Sequence, residues 1–149
     1  MNKNLVLVSG AIVFREQHNK PEWFLIKHQD DDVWEIPKVT VRRGESSVRA
    51  ALRMMGEKAF MTTRVLEEVG RAGGVTNING KIVPQRYLYY LMLSKSFAKD
   101  IIGFPDANWF DYSQTVKKLS SKREKTMLKE ARGVYKKWKK ERKAKKKNP

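Results

Sequence analysis

Residues 34–61, WEIPKVTVRRGESSVRAALRMMGEKAFM, decide how the rest of the chain is read. Their second half predicts a helix over about 46–60, opened by Ser46 or Ser47, whose hydroxyl satisfies an orphan amide of the first turn, with Gly56 the only breaker inside. Val48, Leu52, Met55 and Ala59 recur at helical spacing and predict one apolar stripe facing a core. Met54, Glu57 and Lys58 are expected to share a second face, away from that stripe and open to chemistry.

Those residues resemble the Nudix box, G-x5-E-x7-R-E-U-x-E-E-x-G-U with U aliphatic. The box overlays 39–61 without a gap, and WEIPK is similar to the W-x-[LF]-P-K-G that precedes it in the family. Glu45, Arg53 and Glu57 match its first Glu, its Arg and the first Glu of its EE pair. Val39, Met54, Lys58 and Phe60 stand where the family has Gly, Glu, Glu and Gly. The resemblance, over roughly residues 5–135, implies a mixed α/β fold: an α/β/α sandwich with a mixed sheet, the box helix on one side and a C-terminal helix over about 121–138. It also implies pyrophosphate hydrolysis of nucleoside diphosphate derivatives with magnesium or manganese, Glu57 as metal ligand, and Arg53 with Glu45 as a supporting ion pair.

The departures argue against that chemistry at full strength. Magnesium takes hard oxygen ligands in near-octahedral geometry, and Met54 offers none. Lys58, next to Glu57, adds a positive charge that repels a divalent cation. A β-branched Val39 cannot follow a glycine into positive φ, so the preceding loop is expected to differ in shape. The prediction is a degenerate metal site and a weak or inactive hydrolase. Lys58, with Lys38, Arg42 or Arg43, then takes the place of the metal's charge and holds phosphates directly. On this reading no metal cofactor is needed.

Working outward, 149 residues suit one globular domain, and the absence of cysteine excludes disulfides, thiolate nucleophiles and zinc–sulfur sites. The N-terminus reads as a first strand rather than a leader, and no apolar run reaches membrane-spanning length, so a soluble, cytoplasmic protein is expected. Residues 5–14 and Trp23–Lys27 predict a hairpin joined through Gln17–Pro21. His28 reads as a surface or packing residue and Gln29–Asp32 as a solvated acidic loop. Arg64–Val69 and Lys81–Leu93 predict extended segments, with Asn79-Gly80 as a tight turn and Gly70, Gly73 and Gly74 as a bulge or bend. Glu67 and Glu68 should face opposite ways. Tyr87, Tyr89 and Tyr90 read as packing residues, with base stacking as the functional alternative. In Asp106–Leu119 a strand turns into a helix that Ser113 can cap.

Ser121 and Glu124 have capping-box spacing. Met127, Leu128, Ala131, Val134, Tyr135 and Trp138 fall on one stripe of the helix that follows. The formal net charge is +16, and from Lys117 onward sixteen Lys and Arg face three Glu, so +13 of it lies there. The expected division is a domain over 1–138 and a basic tail over 139–149 that frays into solvent. Lys136, Lys137, Lys139, Lys140, Arg142, Lys143, Lys145, Lys146 and Lys147 are candidate contacts for RNA or DNA through backbone phosphates. The functional expectation is thus a hydrolase-like protein that binds a nucleotide or other polyanion. The alternatives are an active metal-dependent hydrolase and a scaffold on nucleic acid.

Overall fold

The structure is a computed structural model that describes residues 5–27, 32–95 and 106–147. His28 and residues 29–31 of the acidic loop lie outside this set. Seven strands form one sheet: β1 (Val6–Gln17), β2 (Lys20–Lys27), β3 (Trp34–Glu35), β4 (Lys38–Thr40), β5 (Thr63–Ile78), β6 (Lys81–Ser94) and β7 (Asp106–Phe110). The order along it is β3-β2-β1-β6-β5, with β4 paired to β1 and β7 to β2. β1 and β6 run parallel from Val6↔Gln85 to Phe14↔Leu93, while the other pairings are antiparallel. The sheet is therefore mixed.

Both faces of the central strands are apolar, as a sheet covered on two sides requires. Ala11 and Val13 of β1, with Phe24 and Ile26 of β2, face α1 (Ser47–Ala59). Ile12, Phe14, Trp23 and Leu25 face the other way, toward α2 (Tyr112–Lys118) and α3 (Lys122–Lys147). The result is an α/β/α sandwich. On the α3 side Tyr89 lies flat on its register partner Gly10, where a Cβ would sit 2.5 Å from the ring. Only glycine permits that approach.

The turns follow their sequence signals. His18 and Asn19 both have positive φ in the β1–β2 turn, and Asn79-Gly80 does the same between β5 and β6, the geometry of a type I′ hairpin. A bulge falls at Glu68/Gly70 and another at Val65/Glu67, whereas Gly73 and Gly74 stay in register. No helix among the described residues is long and apolar enough to cross a membrane.

Two local expectations, at the cap of α2 and at the end of α3, are corrected. The cap of α2 is Asp111, whose carboxylate accepts from the Gln114 amide at 2.8 Å, and Ser113 lies inside the helix. Val39 lies in β4 opposite Ser9 and is not among the residues with positive φ; the left-handed residue of this loop is Gly44. Residues 139–147 are helical rather than frayed, because α3 continues through Lys147. Lys139 donates to the Asn19 carbonyl at 2.7 Å, and Arg142 and Lys139 reach the Glu16 carboxylate at 2.9 and 3.4 Å. Those partners stand on the β1–β2 hairpin, more than a hundred residues away, and give the last turns an anchor that local composition does not reveal.

Candidate functional site

Ser46 caps α1 as expected, accepting from the Arg49 amide at 3.1 Å. The buried face of the helix is Ala50, Ala51, Met54, Met55 and Ala59, whereas Leu52 is 37% exposed. Ala50 and Ala51 are both fully buried, so the face that meets the sheet is centred near them. That turns the core stripe away from Leu52 and takes in Met54, which is 0% exposed. Met54 is thus a core residue and does not share an open face with Glu57.

At the far end, Phe60 adopts the left-handed conformation (φ 51°), and the Met61 amide donates to the Met55 carbonyl at 3.1 Å, a Schellman-type ending. Glycine is the residue that takes this conformation without strain. Here it is held by a phenylalanine that is 54% exposed.

Ahead of the helix, Glu45 and Arg53 form a two-pronged ion pair, Nε to Oε2 at 2.7 Å and Nη2 to Oε1 at 3.0 Å. The Arg42 amide adds a bond to Oε1 at 3.0 Å. These donors, Arg53 first and Arg42 second, hold the Glu45 carboxyl at about 2, well below its ordinary range. The Arg53 guanidinium is raised mainly by the same bond. The pair ties the 40–45 loop to the helix.

Beside it a shallow cleft of ≈ 570 Å³ runs between β4 and α1, bounded by Lys38, Arg42, Arg53, Glu57 and Lys58. Arg43 is exposed in the adjoining turn and does not border the cleft. Among the described residues, Glu57 is the single carboxylate beside four cations on this rim. A magnesium-class ion seeks several oxygen donors at once, and among the described residues no three His, Cys, Asp or Glu side chains converge. The donor set of the cleft does not fit such an ion.

Lys38 has a second allegiance. Its ammonium donates to Glu124 at 2.7 Å, to the Ile36 carbonyl at 2.8 Å and to Glu35 at 3.4 Å. Glu124, on the first turn of α3, is 3% exposed and also accepts from the Ile36 amide at 2.9 Å and the Tyr89 hydroxyl at 3.0 Å. Burial, and then the neighbouring Glu124 charge, push the Tyr89 phenol upward.

The sequence presents Glu124 as half of a capping box. The Ser121 hydroxyl does accept from the Glu124 amide at 3.2 Å, but the carboxylate turns inward to residues 86 and 88 positions away. No local pattern signals this role. Lys38 also borders a cleft of ≈ 210 Å³ with Trp34, Tyr87 and Arg123. There Tyr87 lies parallel to Tyr89 and is covered by the Arg123 guanidinium at 4.3 Å, so it packs rather than offering an open ring.

The remaining candidates lie on the other side of the sheet. Lys136, Lys137, Lys140, Lys143 and Lys145 are exposed on α3; Lys139 and Arg142 are its anchors, and Lys146 and Lys147 belong to its last turn.

No family model matches the sequence, and no curated protein sequence matches it. Solved structures do. The Caenorhabditis elegans (C. elegans) Ap4A hydrolase superposes with a TM-score of 0.68 at 20% identity, covering 88% of this chain and 98% of that one. The E. coli dihydroneopterin triphosphate pyrophosphohydrolase superposes with a TM-score of 0.65 at 11% identity, over 82% and 91%. The NUDIX domain of Shewanella oneidensis NrtR, complexed with ADP ribose, gives a TM-score of 0.65 at 17% identity over 88% of each chain. With its box helix, mixed sheet and closing helix laid on these structures, the chain has the Nudix fold.

Proposed function

We propose that the cleft between β4 and α1 binds the phosphates of a nucleotide or nucleoside diphosphate derivative through side-chain cations, and that the protein turns such compounds over weakly or not at all. The observation that carries this reading is the rim charge, one carboxylate, Glu57, against four cations. Arg42 and Lys58 supply the positive charge that faces a phosphate. Arg53 and Glu45 fix the loop, and Lys38, committed to Glu124, holds β4 in place. The superposed structures lend support, since Ap4A, dihydroneopterin triphosphate and ADP ribose all carry linked phosphates.

The test is calorimetric titration with ADP, first in EDTA and then in magnesium, alongside a hydrolysis screen over nucleoside diphosphate derivatives. Binding in EDTA that R42A/K58A weakens about tenfold or more is expected, because each charge-assisted bond contributes roughly 1.5–3 kcal/mol. Binding that requires magnesium or manganese, with turnover abolished by Glu57→Gln, would establish an active hydrolase instead.

A second reading concerns α3. Its fourteen Lys and Arg against three Glu form a continuous basic helix, and nucleic acid is the polyanion that such a field attracts whatever the sequence.

A further inference from the structure

We infer that Lys125, Lys129, Arg132, Lys136, Lys140 and Lys143 of α3 form a straight track for the phosphate backbone of nucleic acid, holding it without reading its bases. This rests on the second reading above and gives it a surface. The six follow one another at intervals of four, three, four, four and three residues, so at about 100° per residue they fall within roughly 80° of the helix circumference. All six are exposed, and none is in an ion pair among the described residues. At about 1.5 Å per residue the row is roughly 27 Å long.

The acids of α3 are kept off it. Glu124 is buried, and Glu130 and Glu141 lie roughly 140–160° around the helix from Lys125. The row cannot roll toward the sheet, because Met127, Leu128, Ala131 and Tyr135 are packed into the core and Lys139 and Arg142 are bound to Asn19 and Glu16. A fixed row of like charges costs self-repulsion, and an aligned polyanion is what relieves it.

The same geometry selects the mode of contact. Single-strand binders offer rings on which bases stack. Here Tyr135 and Trp138 stand edge-on to Phe14 at 4.9 and 5.5 Å, and Tyr112 is covered by the Arg132 guanidinium at 4.1 Å. None of these three rings is presented along the row, so the row offers charge to phosphates rather than a stacking platform to bases. A membrane surface fits less well, because helices that lie on lipid bury an apolar face there, and the apolar face of α3 is already spent on the sheet.

The test uses the full chain and fluorescence anisotropy with duplex RNA and duplex DNA of scrambled sequence, over a series of salt concentrations. One variant removes row charges (K125Q/K129Q/K136Q/K140Q). A second removes as many from exposed positions outside α3 (K20Q/K81Q/K95Q/K117Q). Glutamine is as good a helix former as lysine, and thermal melts confirm that both fold.

The expected result is that the row variant binds duplexes on the order of 10²-fold more weakly at moderate salt. The magnitude of its log K against log salt slope should fall by about 3–4, near 0.9 for each phosphate the variant no longer neutralises. The off-row variant should stay within about threefold of the parent. Equal losses in the two variants would show that net charge suffices and overturn the track, while leaving nucleic-acid binding standing. No binding by the parent protein would remove the second reading and the track together. Tighter binding to phosphatidylserine vesicles than to either duplex would overturn nucleic acid as the partner.

Discussion

The two long helices meet the same sheet by different means. α1 presents an apolar face of alanines and methionines, and it bonds to β1 and β6 through neutral groups at its first turn. There the Ser9 hydroxyl donates to the Ser47 carbonyl at 2.7 Å and the Ser47 and Tyr90 hydroxyls meet, while the Arg53–Glu45 ion pair ties the helix to the preceding loop. α3 adds a charged side chain to its apolar stripe: Glu124 enters the interior, and Glu16 comes out from the sheet to meet Lys139 and Arg142. Burial of apolar area tolerates edits on the outer face of a helix, whereas a buried polar network tolerates few edits anywhere in it. The contrast explains how α1 can carry Lys58 on its last turn and Phe60 at its C-cap without loss of the fold. It also says where the fold is vulnerable.

The largest effect should come from breaking the α3 side. Glu124→Ala leaves the Lys38 ammonium, the Ile36 amide and the Tyr89 hydroxyl without their common acceptor, and a loss of about 3–5 kcal/mol in urea denaturation is expected. Glu57→Gln on the exposed face of α1 should change stability by no more than about 0.5 kcal/mol. Similar losses for the two would erase the distinction.

A smaller effect, of opposite sign, is expected at the end of α1. Phe60→Gly removes a side chain that is mostly in solvent from a left-handed position, and a gain of about 1 kcal/mol in the same assay would show that α1 carries strain the fold absorbs. Destabilisation instead would mean that the Phe60 ring contributes packing beyond what its exposure indicates.

The smallest concerns Glu45. Its carboxyl is at about 2 in the folded chain against about 4.3 in an unfolded one, so the ion pair's contribution is complete above the unfolded value and is lost as pH falls through the folded one. Arg53→Met should raise Glu45 toward the ordinary carboxylate range, with the Arg42 amide still holding it somewhat below, read by NMR titration of its side chain, and should flatten the acid limb of stability between those two values. An unchanged titration would mean that the Arg42 amide alone sets it.

Much of this was legible in the residues. The Ser46 cap, the Asn79-Gly80 turn and the α3 stripe from Met127 to Trp138 each rest on neighbours a few positions apart, and each is found where local rules put it. The misreadings share one cause. Met54 belongs to the core because the sheet covers the face that carries Ala50 and Ala51, and which face is covered is a fact of the sheet rather than of hydropathy. Glu124 looks like a capping residue until its partner Ile36 is brought to it, and the end of α3 looks like a tail until Glu16 and Asn19 arrive. In the cleft, the identities of Glu45, Arg53 and Glu57 could be read from spacing, but the diversion of Lys38 to Glu124 could not.

The position of Glu124 in the chain also bears on how the protein comes into being. A ribosome that adds roughly 5–20 residues per second makes every strand of the sheet before it makes α3. During that interval Phe14, Trp23, Tyr89 and Leu91 have no helix over them, and the Lys38 ammonium has no Glu124 to receive it. The nascent sheet therefore waits with one greasy side uncovered for the arrival of the most basic segment of the chain. Shielding by a chaperone, or slow release of what has been made so far, matters most in those few seconds, and a message truncated ahead of Glu124 would yield a sticky fragment rather than a smaller working domain.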